Sequence, residues 1–264
     1  MKKNDLKSFP DYKNPPVIEV VCGISFEKLE KFKGHHIGLI WQKVQDEFPN
    51  VENAIRLEID PSVIDLANYF PRIWFVSRGQ NKLIQIQDDK YYFNWRRIQE
   101  DETYPHYDII IKMFKNYLSL FEKFIKEESI GVIKPLKCEL SYINHIPKGE
   151  GWESLSEINN VFRDLLWNGG NRFLPPPVSL SGQAIFSLPD KKGNLSLVLQ
   201  QAKSKTDQNP IFVLRNTASG LGEDKSMESV WEWFEVAHEW IVCGFSDLTG
   251  EKTQKDIWRR IDIG

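Results

Sequence analysis

Between Val17 and Phe26 the chain reads VIEVVCGISF. Its alternation places Ile18, Val20, Cys22, Ile24 and Phe26 on one side of a predicted strand. The period then lengthens. In GHHIGLIWQKVQDEF, Ile37, Ile40, Trp41, Val44 and Phe48 recur at helical spacing, and Pro49 ends the run. Residues 50–70 hold no clear period, and Asp60-Pro61 marks a turn. The stretch PRIWFVSRGQNKLIQIQDDKYYFNWRR predicts three antiparallel strands joined by two-residue turns at Gly79-Gln80 and Asp88-Asp89. Pairing Arg78 with Asn81 sets Phe75 against Ile84 and Ile73 against Ile86. Pairing Gln87 with Lys90 sets Ile86 against Tyr91 and Ile84 against Phe93. Both turns therefore put Ile73, Phe75, Ile84, Ile86, Tyr91, Phe93 and Trp95 on one apolar face, an agreement that a one-residue slip destroys. The opposite face carries Trp74, Val76, Arg78, Leu83, Gln85, Gln87, Tyr92, Asn94 and Arg96. A long helix follows, with Ile110, Met113, Phe114, Tyr117, Phe121 and Phe124 as its buried stripe.

The same order returns in the second half. KCELSYINHI is a strand with Cys138, Leu140 and Tyr142 on one face, WESLSEINNVFRDLLW a helix, and NGGNRFLPPP a loop. VSLSGQAIFSLP, NLSLVLQQAKS and PIFVLRNTAS are three further strands. SMESVWEWFEVAHEWIVCGF is a long helix capped by Ser226, and GEKTQKDIWRR is a short helical tail. The pattern predicts an α+β protein of two similar halves, residues 1–130 and 131–264. Each is an antiparallel sheet covered by helices on one face, and the two share a core. The second face is amide- and hydroxyl-rich in both halves, with Ser179, Ser181, Gln183, Ser196 and Gln200 in the second.

Composition narrows the function. The 264 residues include 34 basic and 37 acidic side chains, a net charge of −3, which speaks against bulk electrostatic binding of nucleic acid. Nine tryptophans make the expected core bulky. Cys22, Cys138 and Cys243 are far apart and lie in apolar stretches, without the ligand spacing of a zinc site or a disulfide framework. The polar N-terminus lacks the apolar segment of a signal peptide, and no apolar run is long enough to span a membrane, so a cytoplasmic location is expected.

PPVIEVVCGISF, the QIQDDKYYFNWRR block with the following YPHYDIIIKMF, and CELSYINHI together resemble an uncharacterised, sporadically distributed bacterial protein family. Its hallmarks are an EVV-GI-F strand, a QIQ…NWR…YP-Y block and a Y-NHI strand. The resemblance runs through most of the chain and implies an accessory bacterial gene, as in defence or toxin–antitoxin loci. The doubled strand–helix–strands–helix order is similar to the TATA-box-binding-protein-like fold, a likeness of fold that does not carry function.

Few residues advertise chemistry. Arg96, beside Tyr92 and Gln85, offers a planar fork for a phosphate or carboxylate, or alternatively an edge ion pair. His145, next to Asn144 at a strand end, has the pKa range of a general base but no partner nearby in sequence. His35 and His36 point about 100° apart on a helix and suit helix surface better than metal. His238 is expected to pack between helices. Gly220-Leu221-Gly222 lacks the third glycine of a dinucleotide loop, since Lys225 stands there. The leading expectation is recognition of a partner protein or ligand, without catalysis, cofactor or metal. It would use the sheet face of Trp74, Arg78, Gln85, Gln87, Tyr92, Asn94 and Arg96, with Asn144 and His145. Nucleic-acid binding on that face, with Trp74 and Tyr92 stacking on bases, and an enzyme using His145 and Arg96 are the alternatives.

Overall fold

The computed structural model describes residues 9–57, 70–99, 101–165, 173–175, 177–204 and 207–261. The Asp60-Pro61 turn and most of the glycine- and proline-rich loop lie outside them. The first half runs β1 (Asp11–Tyr12), β2 (Val17–Phe26), α1 (Gly34–Gln42), β3 (Asn50–Ala54), β4 (Arg72–Val76), β5 (Lys82–Ile86), β6 (Lys90–Arg96) and α2 (Tyr107–Glu127). The second runs β7 (Pro135–Pro147), β8 (Ser181–Ser187), β9 (Asn194–Lys203), β10 (Pro210–Gly220), α3 (Met227–Leu248), α4 (Glu251–Asp256) and β11 (Arg260–Ile261).

Nine strands form one antiparallel sheet in the order β3-β4-β5-β6-β2-β7-β10-β9-β8. The halves meet where β2 pairs with β7. Outward from that seam β6, β5 and β4 on one side answer β10, β9 and β8 on the other, and α2 follows β6 as α3 follows β10. Four strands and a long helix of each half thus follow the same order, joined edge to edge, while β3 adds a fifth strand at the outer edge of the first half.

The central register is the one the turns require: Ile73 faces Ile86, Phe75 faces Ile84, and Ile84 in turn faces Phe93. Helices α2 and α3 lie on this side. A single cluster of buried residues joins Val20, Cys22, Phe93, Trp95 and Phe121 of the first half to Leu140, Leu197, Trp233 and Phe234 of the second. Ser226 caps α3, its Oγ accepting from the Ser229 amide at 3.2 Å.

Three local expectations need correction. The segment 152–165 forms a short 3-10 helix, Leu155–Asn160, rather than an α-helix. Trp152, Leu155, Ile158 and Val161 recur at every third position, which is the 3-10 period. Helix α1 ends at Gln42, and residues 43–48 tighten into turns as the amides of Lys43 and Val44 reach back three residues. The β4–β5 connection is a four-residue loop closed by Ser77 and Lys82, with Gln80 rather than Gly79 at positive φ. The register survives because both closures pair the same positions. The Asp88-Asp89 turn has two residues as expected, the Gln87 amide donating to Lys90.

Candidate ligand cavity

The expected recognition residues separate when placed on the fold. On the face away from the helices, Gln85, Gln87, Tyr92 and Asn94 are buried, Trp74 and Arg96 half-buried, and Arg78 exposed. Several of their polar groups serve one another, although Trp74 Nε1 and Arg96 Nε are buried without a partner. Arg72 Nη1 donates to Gln85 Oε1 (3.1 Å), Gln85 Nε2 to Asn94 Oδ1 (2.7 Å), and Asn94 Nδ2 to Glu19 Oε1 (2.6 Å). This amide ladder crosses four strands. Gln87 accepts from the Leu57 amide, and Arg96 Nη2 donates to the Gln80 carbonyl at the hairpin tip (2.8 Å). The Tyr92 ring lies on Gly23, where a Cβ would fall 2.1 Å from it, so the glycine is required by this close approach. His145 is half-buried on the same face, while Asn144, one residue earlier, points through the sheet to the helix side.

That helix side holds a cavity of about 480 Å³, within the usual range for small-molecule sites. Its floor comes from two neighbouring strands. Tyr142 and Asn144 of β7 and Asn216 of β10 occupy the apolar phase of their strands, and Tyr142 pairs with Asn216 in register. Helix α3 supplies Glu235, His238, Ile241, Val242 and Phe245, a stripe at helical spacing. The start of α2 supplies Tyr104, His106, Tyr107 and Asp108. The remaining wall is the segment Phe9–Val17. It is strapped down by β1–β11 pairing, by the Lys13 and Asn14 amides donating to Arg259 and Trp258, and by Arg97 donating to the Pro15 carbonyl.

The walls are aromatic. The His238 ring stacks on Tyr107 with centroids 3.8 Å apart and planes within 5°, and Phe9 meets it edge-on. The Tyr104 and Tyr142 hydroxyls bond each other at 3.0 Å, and Tyr107 donates to Glu235 at 3.3 Å. Burial raises all three phenols, most of all Tyr107 and Tyr142, so they stay protonated. Burial also pushes His238 down to about 4, leaving a neutral imidazole at pH 7. At the rim, exposed His106 faces Asp11 across 3.5 Å, with Asp108 and Glu235 also exposed. His106 adopts φ 65 and ψ 159, a region that costs a side-chain-bearing residue about 1–3 kcal/mol and often accompanies functional sites.

Asn216 on the cavity floor is 0 % exposed, and neither its Oδ1 nor its Nδ2 finds a partner in the protein. Asn144, by contrast, spends its Nδ2 on the Leu214 carbonyl. Asn144 was identifiable in sequence; Asn216, Tyr104, Tyr107 and His238 as a site were not. The available signal was an asparagine in the apolar phase of PIFVLRNTAS, between Leu214 and Ala218.

Among the described residues no group of three or more His, Cys, Asp and Glu is arranged to hold a metal, and no helix is long and apolar enough to cross a membrane. Gly220, at φ +147, packs against the Lys192 carbonyl, which accounts for that glycine without a nucleotide.

No protein-family model matches the chain, and neither does any curated protein. Solved structures give faint likenesses. A TBP of Methanococcus jannaschii is 12% identical over 89% of this chain and 99% of its own, with a TM-score of 0.29. The di-domain ARO/CYC StfQ from the steffimycin biosynthetic pathway is 8% identical over 87% and 96%, with a TM-score of 0.20. Likenesses this weak carry no argument about function.

Proposed function

We propose that the protein binds a small organic molecule in the cavity between the sheet and helices α2 and α3. Ligand recognition, rather than catalysis, accounts best for the lining. The imidazole is neutral and stacked, and burial keeps the phenols protonated. The observation that carries the reading is the cavity itself, about 480 Å³ and walled by the stacked Tyr107–His238 pair and Tyr104, a size usual for small-molecule sites. Recognition thus moves from the amide-rich sheet face to the opposite side of the same sheet. The setting proposed with it is the one the family resemblance implies, a bacterial cytoplasmic protein of an accessory locus.

The test combines native mass spectrometry of the purified protein with a fragment screen read by melting temperature. Ile241→Trp, which fills the cavity from α3, is the control. A carried small molecule, or fragments that stabilise the wild type but not Ile241→Trp, is the expected result. Hits that are indifferent to Ile241→Trp, or none at all, would count against the cavity.

A further inference from the structure

Resting on the cavity reading, the lining points to a class of ligand: we infer that the site takes an organic cation, an ammonium group carried on a compact apolar body. The charge of the lining and the chemistry of its walls point to it separately.

The lining contains three carboxylates, Asp11, Asp108 and Glu235, and no lysine or arginine. Burial keeps His238 neutral. His106 faces Asp11 at 3.5 Å, but among the described residues no basic side chain lies within ion-pair distance of Asp108 or Glu235. The Tyr107 hydroxyl donates to Glu235, which orders that carboxylate without removing its charge. The acids act on the interior as well as on the mouth. Burial is the main cause of the raised Tyr104 and Tyr107 phenols; Asp11 and Asp108 add to the first, Glu235 and Asp108 to the second. A negative field focused between low-dielectric walls concentrates cations and repels anions.

The walls decide which cation. The Tyr107–His238 stack, Tyr104 and Phe9 surround the space with rings, and Ile241 and Val242 add aliphatic surface. Ring faces attract a cation within about 6 Å of their centroids, and aromatic walls are a common means of holding quaternary ammonium groups. The acids alone would draw in any cation, a hydrated metal ion included. The apolar walls favour one that carries carbon, because burying the groups around an ammonium nitrogen is favourable where stripping water from a bare ion is not. A volume of about 480 Å³ leaves room for an apolar body beside the ammonium head.

Three benzyl compounds with tetrahedral heads of similar size separate charge from shape: benzyltrimethylammonium, benzyl methyl sulfone and phenylmethanesulfonate. Each is titrated by calorimetry against wild type, the double variant Asp108→Asn with Glu235→Gln, and Ile241→Trp. Both acids are exposed, so the double variant should keep the wild-type melting temperature. The expected result is that benzyltrimethylammonium binds wild type at least tenfold more tightly than either other probe. It should lose at least tenfold in the double variant and all measurable binding in Ile241→Trp. The sulfone or the sulfonate binding as tightly as the ammonium would overturn the inference. So would unchanged ammonium affinity in the double variant, ammonium binding that survives Ile241→Trp, or failure of all three probes to bind. A cavity ligand found by native mass spectrometry, or fragment hits lost in Ile241→Trp, would still uphold the cavity reading in each of those cases.

Discussion

His238 sits half-buried against Tyr107, and its pKa of about 4 stands below the 6.5 of an unfolded histidine. The unfolded chain therefore binds a proton that the folded protein refuses. The stability associated with the neutral ring is complete above about pH 6.5 and is lost progressively as pH falls toward 4. A ring retaining part of its hydration makes this an effect on the order of 2 kcal/mol. His238→Phe keeps an aromatic surface on Tyr107 but cannot be protonated. Between pH 6.5 and 4 the variant should lose less stability than wild type in urea titrations; identical pH profiles would show that the imidazole keeps its solvent access when folded. The two asparagines of the cavity floor make a related point. One donates its Nδ2 to the Leu214 carbonyl, while the other has nothing in the protein to bond.

The amide ladder is a property of elements rather than of residues. Each rung lies at a position where two strands pair: Gln85 beside Tyr92, and Asn94 opposite Val21 with Glu19 two residues back on β2. Asn94→Leu removes the centre of the chain, stranding the Gln85 amide and the Glu19 carboxylate. It should cost about 1–3 kcal/mol. The corresponding face of the second half behaves differently. Strand β8 is exposed along its whole length, and Gln183 makes only a 3.4 Å contact with Ser196. Gln183→Leu should change stability by no more than about 0.5 kcal/mol. Chemical denaturation of both variants measures the contrast, and equal costs would show that the ladder does not stabilise the sheet. Two halves built to one order thus treat their polar faces in opposite ways.

At the scale of the molecule, the β2–β7 pairing makes two units into one sheet with a common core. Trp95 and Trp233 belong to the same buried cluster although they come from different halves. The cavity depends on both halves as well: α2 and the Phe9–Val17 strap belong to the first, while β7, β10 and α3 belong to the second. Unfolding by urea should show a single transition, coincident by tryptophan fluorescence and circular dichroism. Residues 1–130 and 131–264 produced separately should each fail to melt cooperatively, because separation bares the edges of β2 and β7 and divides the cluster. Two resolved transitions, or a cooperative isolated half, would show independent domains.

Local periodicity sufficed for much of this architecture. The alternation through Ile73, Phe75, Ile84, Ile86, Phe93 and Trp95, with a two-residue turn at Asp88-Asp89, determined three strands, their register and their buried face, since neighbours in sequence are neighbours in the hairpin. The helical stripe of α2, and α3 as a long helix capped by Ser226, were legible for the same reason. The 3-10 segment at Leu155 was misread because apolar residues three apart fit either helix over so short a run. What alternation could not say is whether the other face meets water: burial of Gln85 and Asn94 depends on Glu19, 75 residues from Asn94, and on Arg72. The cavity is still less local. Asn216 and Tyr142 become neighbours only when β10 pairs with β7, and the unpaired state of Asn216 is a fact about everything around it. Sequence determines which residues share a face; tertiary packing alone decides which polar group on that face is left without a partner.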